Sequence, residues 1–183
     1  MGQRDHQRLV EIEALIERGE KLESADFPSE IFGAPDASEK DYKLPDLFKG
    51  YGYWVVSEAA AEVLRQFDLG QGHLHPVKVL RSDRQTSVGQ GWQCISFGNQ
   101  KSALVPDRSS NIRKRAQGRY KASAILADND LVLSSAALEG PDIWVDTQMW
   151  DAVFLSEPLG NALTKAKADR GFFLTKCRVV ESA

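Results

Sequence analysis

The stretch Tyr53-Trp54-Val55-Val56-Ser57-Glu58 recurs later in the chain as Ala152-Val153-Phe154-Leu155-Ser156-Glu157, and this repeat decides the fold. Each copy is an apolar run that ends in Ser-Glu and is followed by helix-forming residues. A second apolar segment comes after each helix, Leu74–Leu80 in the first copy and Phe172–Val180 in the second. The sequence therefore predicts two copies of a strand–helix–strand unit.

The two copies align closely enough to fix equivalent positions. They match residue for residue as far as Leu64 and Leu163. One extra residue in the second copy then brings Val77-Lys78-Val79 level with Cys177-Arg178-Val179. This alignment predicts that the strands after the two helices are also equivalent.

The serine of each copy has a structural explanation. Ser57 and Ser156 stand where a helix N-cap is expected, and the glutamate after each one favours the positive end of the helix dipole. Pro158 follows in the first turn, where its missing N–H costs nothing. Neither serine lies in the Gly-x-Ser-x-Gly pattern of a hydrolase nucleophile. We interpret both as caps rather than nucleophiles.

The first fifty residues look different from the rest. Apolar residues at three- and four-residue spacing predict a helix that frays near Gly19–Glu23; they are Leu9, Ile12, Leu15, Ile16 and Leu22. Residues 24–50 contain three prolines and indicate a surface arm, with a short helix around Asp46–Lys49. We predict an N-terminal helix and arm over residues 1–50 and a domain over residues 51–183.

The region between the copies is predicted to be rich in strands. The expected strands are Gln90–Phe97, Ala122–Ala127, Leu131–Leu133 and Asp142–Asp146, with a turn at Asp128-Asn129-Asp130. Together with the repeat and the first helix, they indicate an α+β fold. We expect a mixed, mainly antiparallel sheet that carries the duplicated unit and an N-terminal helix.

Composition narrows the class of protein. The net charge of -3 disfavours a nucleic-acid partner, and no apolar run reaches the length of a membrane span. The N-terminus lacks the apolar core of a secretory signal, so we expect a cytoplasmic protein. Cys94 and Cys177 are too few for a disulfide framework and are predicted to be reduced core residues.

The histidine pair His73-x-His75 places two imidazoles on one face of a predicted strand, a pattern that can bind zinc or copper. No third ligand is suitably spaced, so exposed polar histidines are the favoured interpretation. Three Gly-x-Gly pairs lack both the third glycine and the P-loop lysine of nucleotide sites. The sequence predicts no cofactor and no metal.

A basic run extends from Arg108 to Lys121 without an acidic residue. Together with Tyr120, it offers charge and a stacking surface for single-stranded nucleic acid. The acidic balance of the whole chain opposes this reading, and a solvated loop or short helix is preferred.

Tryptophans and acids cluster before the second copy of the repeat. An interface hot spot facing a basic partner would use this combination, and ordinary core packing of tryptophan is the competing interpretation. The candidate partner-binding residues are Asp142, Trp144, Asp146, Trp150 and Asp151.

The order of these segments resembles the immunity protein 11 family of bacterial polymorphic toxin systems. The matching stretches are Tyr53-Trp54-Val55-Val56-Ser57-Glu58, His75-Pro76-Val77-Lys78-Val79, Trp92-Gln93-Cys94-Ile95-Ser96-Phe97, Ala103-Leu104-Val105-Pro106-Asp107 with Ser109-Ser110, Val153-Phe154-Leu155-Ser156-Glu157 and Gly171-Phe172-Phe173. The resemblance runs from about Asp46 to Val180 and leaves out the N-terminal helix and arm. The run Arg113–Lys121 has no counterpart in it, and Asp107–Ser110 fits only roughly.

The resemblance implies a protein that binds and neutralises a cognate toxin domain and carries no catalytic residues. It does not indicate which toxin is bound or whether the chain oligomerises. The alternative is a small hydrolase-type enzyme whose site forms only in three dimensions.

Overall fold

A computed structural model describes residues 3–33 and 43–181 of the 183-residue chain. The helices are α1 (Gln3–Glu17), α2 (Glu58–Leu64) and α3 (Glu157–Lys165). The strands are β1 (Glu30–Phe32), β2 (Leu47–Gly50), β3 (Tyr53–Val56), β4 (His73–Pro76), β5 (Lys78–Leu80), β6 (Gln93–Ser96), β7 (Gln100–Lys101), β8 (Ile112–Lys114), β9 (Tyr120–Ala122), β10 (Val132–Ser134), β11 (Ile143–Asp146), β12 (Met149–Trp150), β13 (Val153–Leu155) and β14 (Arg178–Val180). Among these strands five pairings are antiparallel and four are parallel, so the predicted α+β class with mainly antiparallel pairing is confirmed.

The N-terminal helix forms as predicted and packs into the main core. Its stripe positions Ile12 and Ile16 are buried, as is Leu22 beyond its end. The helix ends at Glu17, and Gly19 follows with a positive φ of 65°. A Cβ on Gly19 would lie 2.2 Å from Cγ2 of Val145, so only glycine fits this close turn.

The segment after α1 differs from the predicted surface arm. Strand β1 pairs in parallel with β5, and β2 pairs antiparallel with β3. The short helix expected at Asp46–Lys49 is wrong, because Leu47–Gly50 is a strand. Ile31 is buried in the core. The division of the chain at residue 50 stays a prediction, and the middle of the predicted arm, residues 34–42, lies outside the described residues.

The first copy of the repeat builds the largest sheet among the described strands, in the order β2-β3-β6-β4. Strand β6 is central and pairs antiparallel with β3 on one side and β4 on the other. Its four residues are all buried, and Ile95 lies between Trp54 and Leu74. The predicted strand Leu74–Leu80 is therefore divided between two partners, since β4 pairs with β6 and β5 pairs with β1.

The duplication extends further upstream than the sequence comparison indicated. Strand β5 pairs in parallel with β1, and β14 pairs in parallel with β10 at equivalent positions. Likewise β2 is antiparallel to β3, and β11 is antiparallel to β13. Three equivalent strands thus precede the capped helix in each half, and one equivalent strand, β5 or β14, follows it.

The serine caps are confirmed in both copies. The Ser57 hydroxyl accepts a hydrogen bond from the Ala60 N–H at 3.2 Å, and the Ser156 hydroxyl accepts one from the Leu159 N–H at 3.3 Å. The backbone N–H of Ser57 also donates to Asp46, and that of Ser156 donates to Asp142. Asp46 and Asp142 are therefore equivalent positions, each at the start of a strand.

Each of these two aspartates accepts a hydrogen bond from the other half of the chain. Asp142 of the second half accepts a hydrogen bond from the Asp68 N–H, just after α2 of the first half, at 2.9 Å. Asp46 of the first half accepts one from the Arg170 N–H, just after α3 of the second half, at 3.2 Å. Reciprocal contacts of this kind are typical of two-fold related units, and helices α2 and α3 also contact each other.

A glycine that follows the helix of each half packs closely against a proline of the other half. A Cβ on Gly70 would lie 2.5 Å from Cγ of Pro141, and one on Gly171 would lie 2.9 Å from Cβ of Pro45. Both glycines have positive φ values, 56° and 91°. The junction between the halves therefore requires a glycine after each helix and a Pro-Asp pair before each strand.

Three predictions in the second half of the chain are wrong. Only the first residue of the predicted strand Ala122–Ala127 is strand, residues 124 and 125 form a bend, and the Asp130 carboxylate accepts the Ala127 N–H at 2.7 Å. The predicted strand Leu131–Leu133 forms as β10, but it pairs in parallel with β14 and not with the segment before the turn at Asp128-Asn129-Asp130. The closing strand is limited to Arg178–Val180, which leaves residues 172–177 without strand pairing.

Candidate partner-binding surface

Two of the five candidate residues lie in the core. Trp144 is 2% exposed and Asp146 is fully buried. The Trp144 ring stacks on Phe154, with ring centroids 5.8 Å apart, and the ammonium nitrogen of Lys101 lies 3.8 Å from the centroid of the indole. Burial lowers the pKa of Lys101. Trp144 therefore organises a second, smaller core cluster instead of facing solvent.

The Asp146 carboxylate holds three backbone groups together. One oxygen accepts hydrogen bonds from the N–H groups of Ala103 at 2.7 Å and Leu104 at 2.9 Å. The other oxygen accepts the Gln148 N–H at 2.9 Å. Because hydrogen bonds to a buried carboxylate are stronger than those between neutral groups, Asp146 ties the loop after β7 to the turn between β11 and β12.

The other three candidates lie in different settings. Asp142 is half-buried and binds the loop of the first half, as described above. Asp151 is exposed and forms an ion pair with Lys121 at 2.8 Å. Trp150 belongs to β12, and its side chain lies outside the described residues. The described side chains therefore do not form one exposed acidic and aromatic patch, and their role in partner binding stays a prediction.

Asp151 shares a shallow cleft with Glu17 of the N-terminal helix. Burial, and then the hydrogen bond with Asp151, raise the pKa of Glu17. The pKa of Asp151 is lowered although burial opposes this, because its hydrogen bonds with Lys121 and Glu17 favour the ionised form. The pair therefore keeps its negative charge on Asp151 and makes Glu17 the easier group to protonate.

Of the two histidines, His73 is exposed as predicted, whereas His75 is half-buried. His75 stacks on Phe27 with ring centroids 3.7 Å apart, and burial together with the neighbouring His73 lowers the pKa of His75. Among the described residues, no group of three or more His, Cys, Asp or Glu is placed to share a metal ion. Nor does any helix in the described ranges have the length and apolar character needed to cross a membrane.

The basic run forms a hairpin and not the expected loop or short helix. Strands β8 and β9 pair antiparallel, with a tight turn at residues 116–118. Arg113 and Lys114 on β8 are exposed, while Lys121 is engaged by Asp151. Tyr120 is half-buried against the smaller core cluster, so its ring is not free to stack on a base.

The two cysteines are free thiols, as predicted. Cys94 is buried at the centre of the first sheet, and burial raises its pKa to about 12. Cys177 is half-buried, and burial raises its pKa to about 11. The prediction that both are core residues holds for Cys94 alone, since Cys177 is half-buried and precedes β14.

A surface that the sequence reasoning missed lies at Phe173–Cys177, which we call the open edge. Phe173 is 91% exposed and Leu174 is 42% exposed. Phe173 also has a φ of 49°, in the left-handed region that a bulky side chain rarely adopts. An exposed phenylalanine in such a conformation has neither burial nor backbone preference to explain it.

The open edge is held in place on both sides. At its start, the Phe172 N–H donates to the Asp169 carbonyl at 3.0 Å. At its end, the Lys176 N–H donates to the Asp128 carboxylate, and the Lys176 carbonyl accepts from Asn129. The Phe173 ring is therefore presented by an anchored backbone.

A sequence signal for this surface did exist. Both copies of the repeat contain an apolar segment after the helix, and Gln90–Phe97 is one of the predicted strands that could cover such a segment. The structure places that strand, as β6, against the first copy. The second copy is thereby left with an uncovered apolar segment.

Comparison with known proteins identifies the family. The model of the Immunity protein family (Imm11) matches residues 2–178, so the N-terminal helix lies inside the family and the resemblance is wider than the predicted range from Asp46. This agrees with the packing of α1 in the main core. A search of curated proteins found no match. Because the match covers nearly the whole chain, the protein belongs to the Imm11 family of immunity proteins.

Proposed function

We propose that this protein neutralises a cognate toxin domain by binding it directly. The match to an immunity protein family over residues 2–178 carries the proposal. The exposed, anchored Phe173 supports it, since aromatic side chains are enriched among the residues that dominate protein interfaces.

We propose further that protection results from binding and not from catalysis. The Ser57 hydroxyl caps α2, and the Asp46 carboxylate that accepts its hydrogen bond at 2.7 Å also accepts the Arg170 N–H at the junction between the halves. Ser156 caps α3 in the same way, and His75 is stacked on Phe27. These side chains are the ones that a hydrolase mechanism would most readily have used, and each has a structural role.

The setting is also part of the proposal. We infer that the partner belongs to a polymorphic toxin system and is encoded beside this gene, and that the two proteins meet in the cytoplasm. Support comes from the family alone.

Co-expression tests the proposal. Cells that produce the adjacent toxin domain are expected to survive only when this protein is also made, and an inactivated toxin domain should co-purify with it. Equal death with and without this protein, or survival without a complex between the purified proteins, would contradict direct neutralisation.

A further inference from the structure

Comparison of the two halves shows that the second half, as far as the structure describes it, lacks a strand equivalent to β6 beside the open edge. In the first half, β6 lies between β3 and β4 and pairs with both. The equivalents in the second half are β13 and the open edge. Strand β13 is the last strand of its sheet, and the open edge has no strand pairing in the described part of the chain. In the described part of the second half, the counterparts of β3 and β4 therefore have no strand between them.

Backbone direction agrees with this comparison. In the first half, the Val77 N–H donates to Trp92, just before β6, while the Lys78 N–H donates to the opposite side, at Ser29. In the second half, Lys176 and Arg178 donate to the side of Asp128 and Leu131. Residues alternate along an extended chain, so the N–H groups of residues 175 and 177 point towards the position of the missing strand.

We propose that an extended strand of the cognate toxin domain pairs antiparallel with the open edge, at the position in the second half that β6 occupies in the first. This is strand addition at a sheet edge, in which backbone hydrogen bonds give affinity and side-chain pockets give specificity. The inference rests on the proposed function, because it names the surface through which the toxin is bound.

The equivalence also defines the chemistry of that strand. Ile95 of β6 lies between Trp54 and Leu74, whose counterparts are Val153 and Leu174. The toxin strand therefore places an apolar residue between Val153, which is half-buried, and Leu174, which is 42% exposed. The Phe173 ring enters an apolar pocket beside that strand.

Charge at the open edge favours an acidic partner. Lys176 and Arg178 are exposed, and Lys176 has only a distant ion pair with Glu157, at 3.9 Å between two side chains exposed by more than 70%. Such a pair contributes little and leaves the ammonium available. A second copy of this chain would bring the same cations together, whereas a toxin strand with Asp or Glu opposite Lys176 would pair with them.

The test uses paired substitutions and an inactivated form of the adjacent toxin domain, with affinity measured by calorimetry. Thr175→Pro removes an N–H that points outwards, while Thr175→Ala keeps it. Phe173→Ala removes the anchor, and Val10→Ala, at a 53% exposed position on α1, is the matched control. We expect Thr175→Pro and Phe173→Ala to weaken binding about tenfold or more, and both controls to stay within about threefold.

Hydrogen exchange separates strand pairing from other contacts. In the complex, the amides of residues 175 and 177 should exchange at least about tenfold more slowly, with no change in the already buried β6. Thermal melts of the free variants must stay near that of the wild type. If Phe173→Ala melts lower, Phe173→Gly replaces it, and if Thr175→Pro melts lower, the exchange measurement on the wild-type complex decides alone.

Each result has a separate meaning. Tight binding with unchanged exchange at residues 175 and 177, or tight binding that Phe173→Ala and Thr175→Pro leave unaffected, would overturn the strand addition and leave the proposed function standing. A dimer of this chain that is lost in Thr175→Pro, with toxin binding intact, would overturn the assignment of the partner. No binding by the wild type would refute the proposed function itself.

Discussion

Replacing Asp146 tests whether the acidic candidates belong to the core or to an interface. The carboxylate is fully buried and accepts three backbone N–H bonds. In Asp146→Ala all three donors lose their partner inside the protein. In Asp146→Asn the amide oxygen can keep the two hydrogen bonds from Ala103 and Leu104. Its NH₂ group then faces the Gln148 N–H, so two donors lie opposite each other without an acceptor.

The magnitude follows from the number of orphaned donors. Each buried donor without a partner costs about 1–3 kcal/mol, and some of that cost is returned because a buried charge is also removed. We therefore expect Asp146→Ala to lower the free energy of unfolding by about 3 kcal/mol and Asp146→Asn by about 1.5 kcal/mol. For a domain of this size the alanine variant should melt about 6–12 °C below the wild type.

Urea unfolding at pH 7, followed by circular dichroism, measures these differences. Asp107→Ala is the control, because Asp107 is exposed and its loss should change stability by no more than about 0.5 kcal/mol. An alanine variant at Asp146 with wild-type stability and weakened toxin binding would refute the reasoning, because it would place this carboxylate in the interface.

Three further predictions concern strain, the junction between the halves and pH. Phe173→Gly should raise the free energy of unfolding by about 1 kcal/mol, and with it the melting temperature, since glycine accepts a φ of 49° without strain. The same change should weaken toxin binding. Gly171→Ala should destabilise by about 3 kcal/mol or more in urea unfolding, because its Cβ would lie 2.2 Å from the Leu47 carbonyl oxygen, whereas Gly160→Ala in α3, with only an ordinary contact of 3.9 Å, should stabilise by about 0.5–1 kcal/mol. Because the pKa of Glu17 is raised, the folded protein favours its protonated form. The contribution of Glu17 to the free energy of unfolding is therefore present below its unfolded pKa, near 4.5, and is lost as pH rises through the folded pKa. Glu17→Gln should therefore stabilise the protein by about 0.5 kcal/mol at pH 7 and by less at pH 4, and equal effects in urea unfolding at both pH values would contradict the account.

The sequence was a good guide wherever a local signal decides the structure. Ser57 and Ser156 were recognised because an N-cap needs an oxygen at one fixed position before a helix. The stripe of Ile12 and Ile16 was recognised because a helix repeats every 3.6 residues. Local spacing therefore predicted the helices, the repeat and the α+β class.

The sequence was a poor guide wherever a distant partner decides the structure. Leu47–Gly50 is a strand because β3 is beside it, and residues 172–177 are not a strand because no strand in the described chain pairs with them. Asp146 looked like an exposed interface acid because its three N–H donors come from loops that only the fold brings together. Composition alone does not separate a buried acceptor from a surface charge.

The number of protein molecules needed to silence one toxin molecule tests direct neutralisation most simply. The active toxin domain would be held at a fixed concentration well above the dissociation constant and titrated with this protein while its activity is followed. If neutralisation is by binding, activity should fall linearly and reach its minimum at a ratio of one to one. Complete silencing by a small fraction of an equivalent, progressing with time, would show turnover and contradict the account.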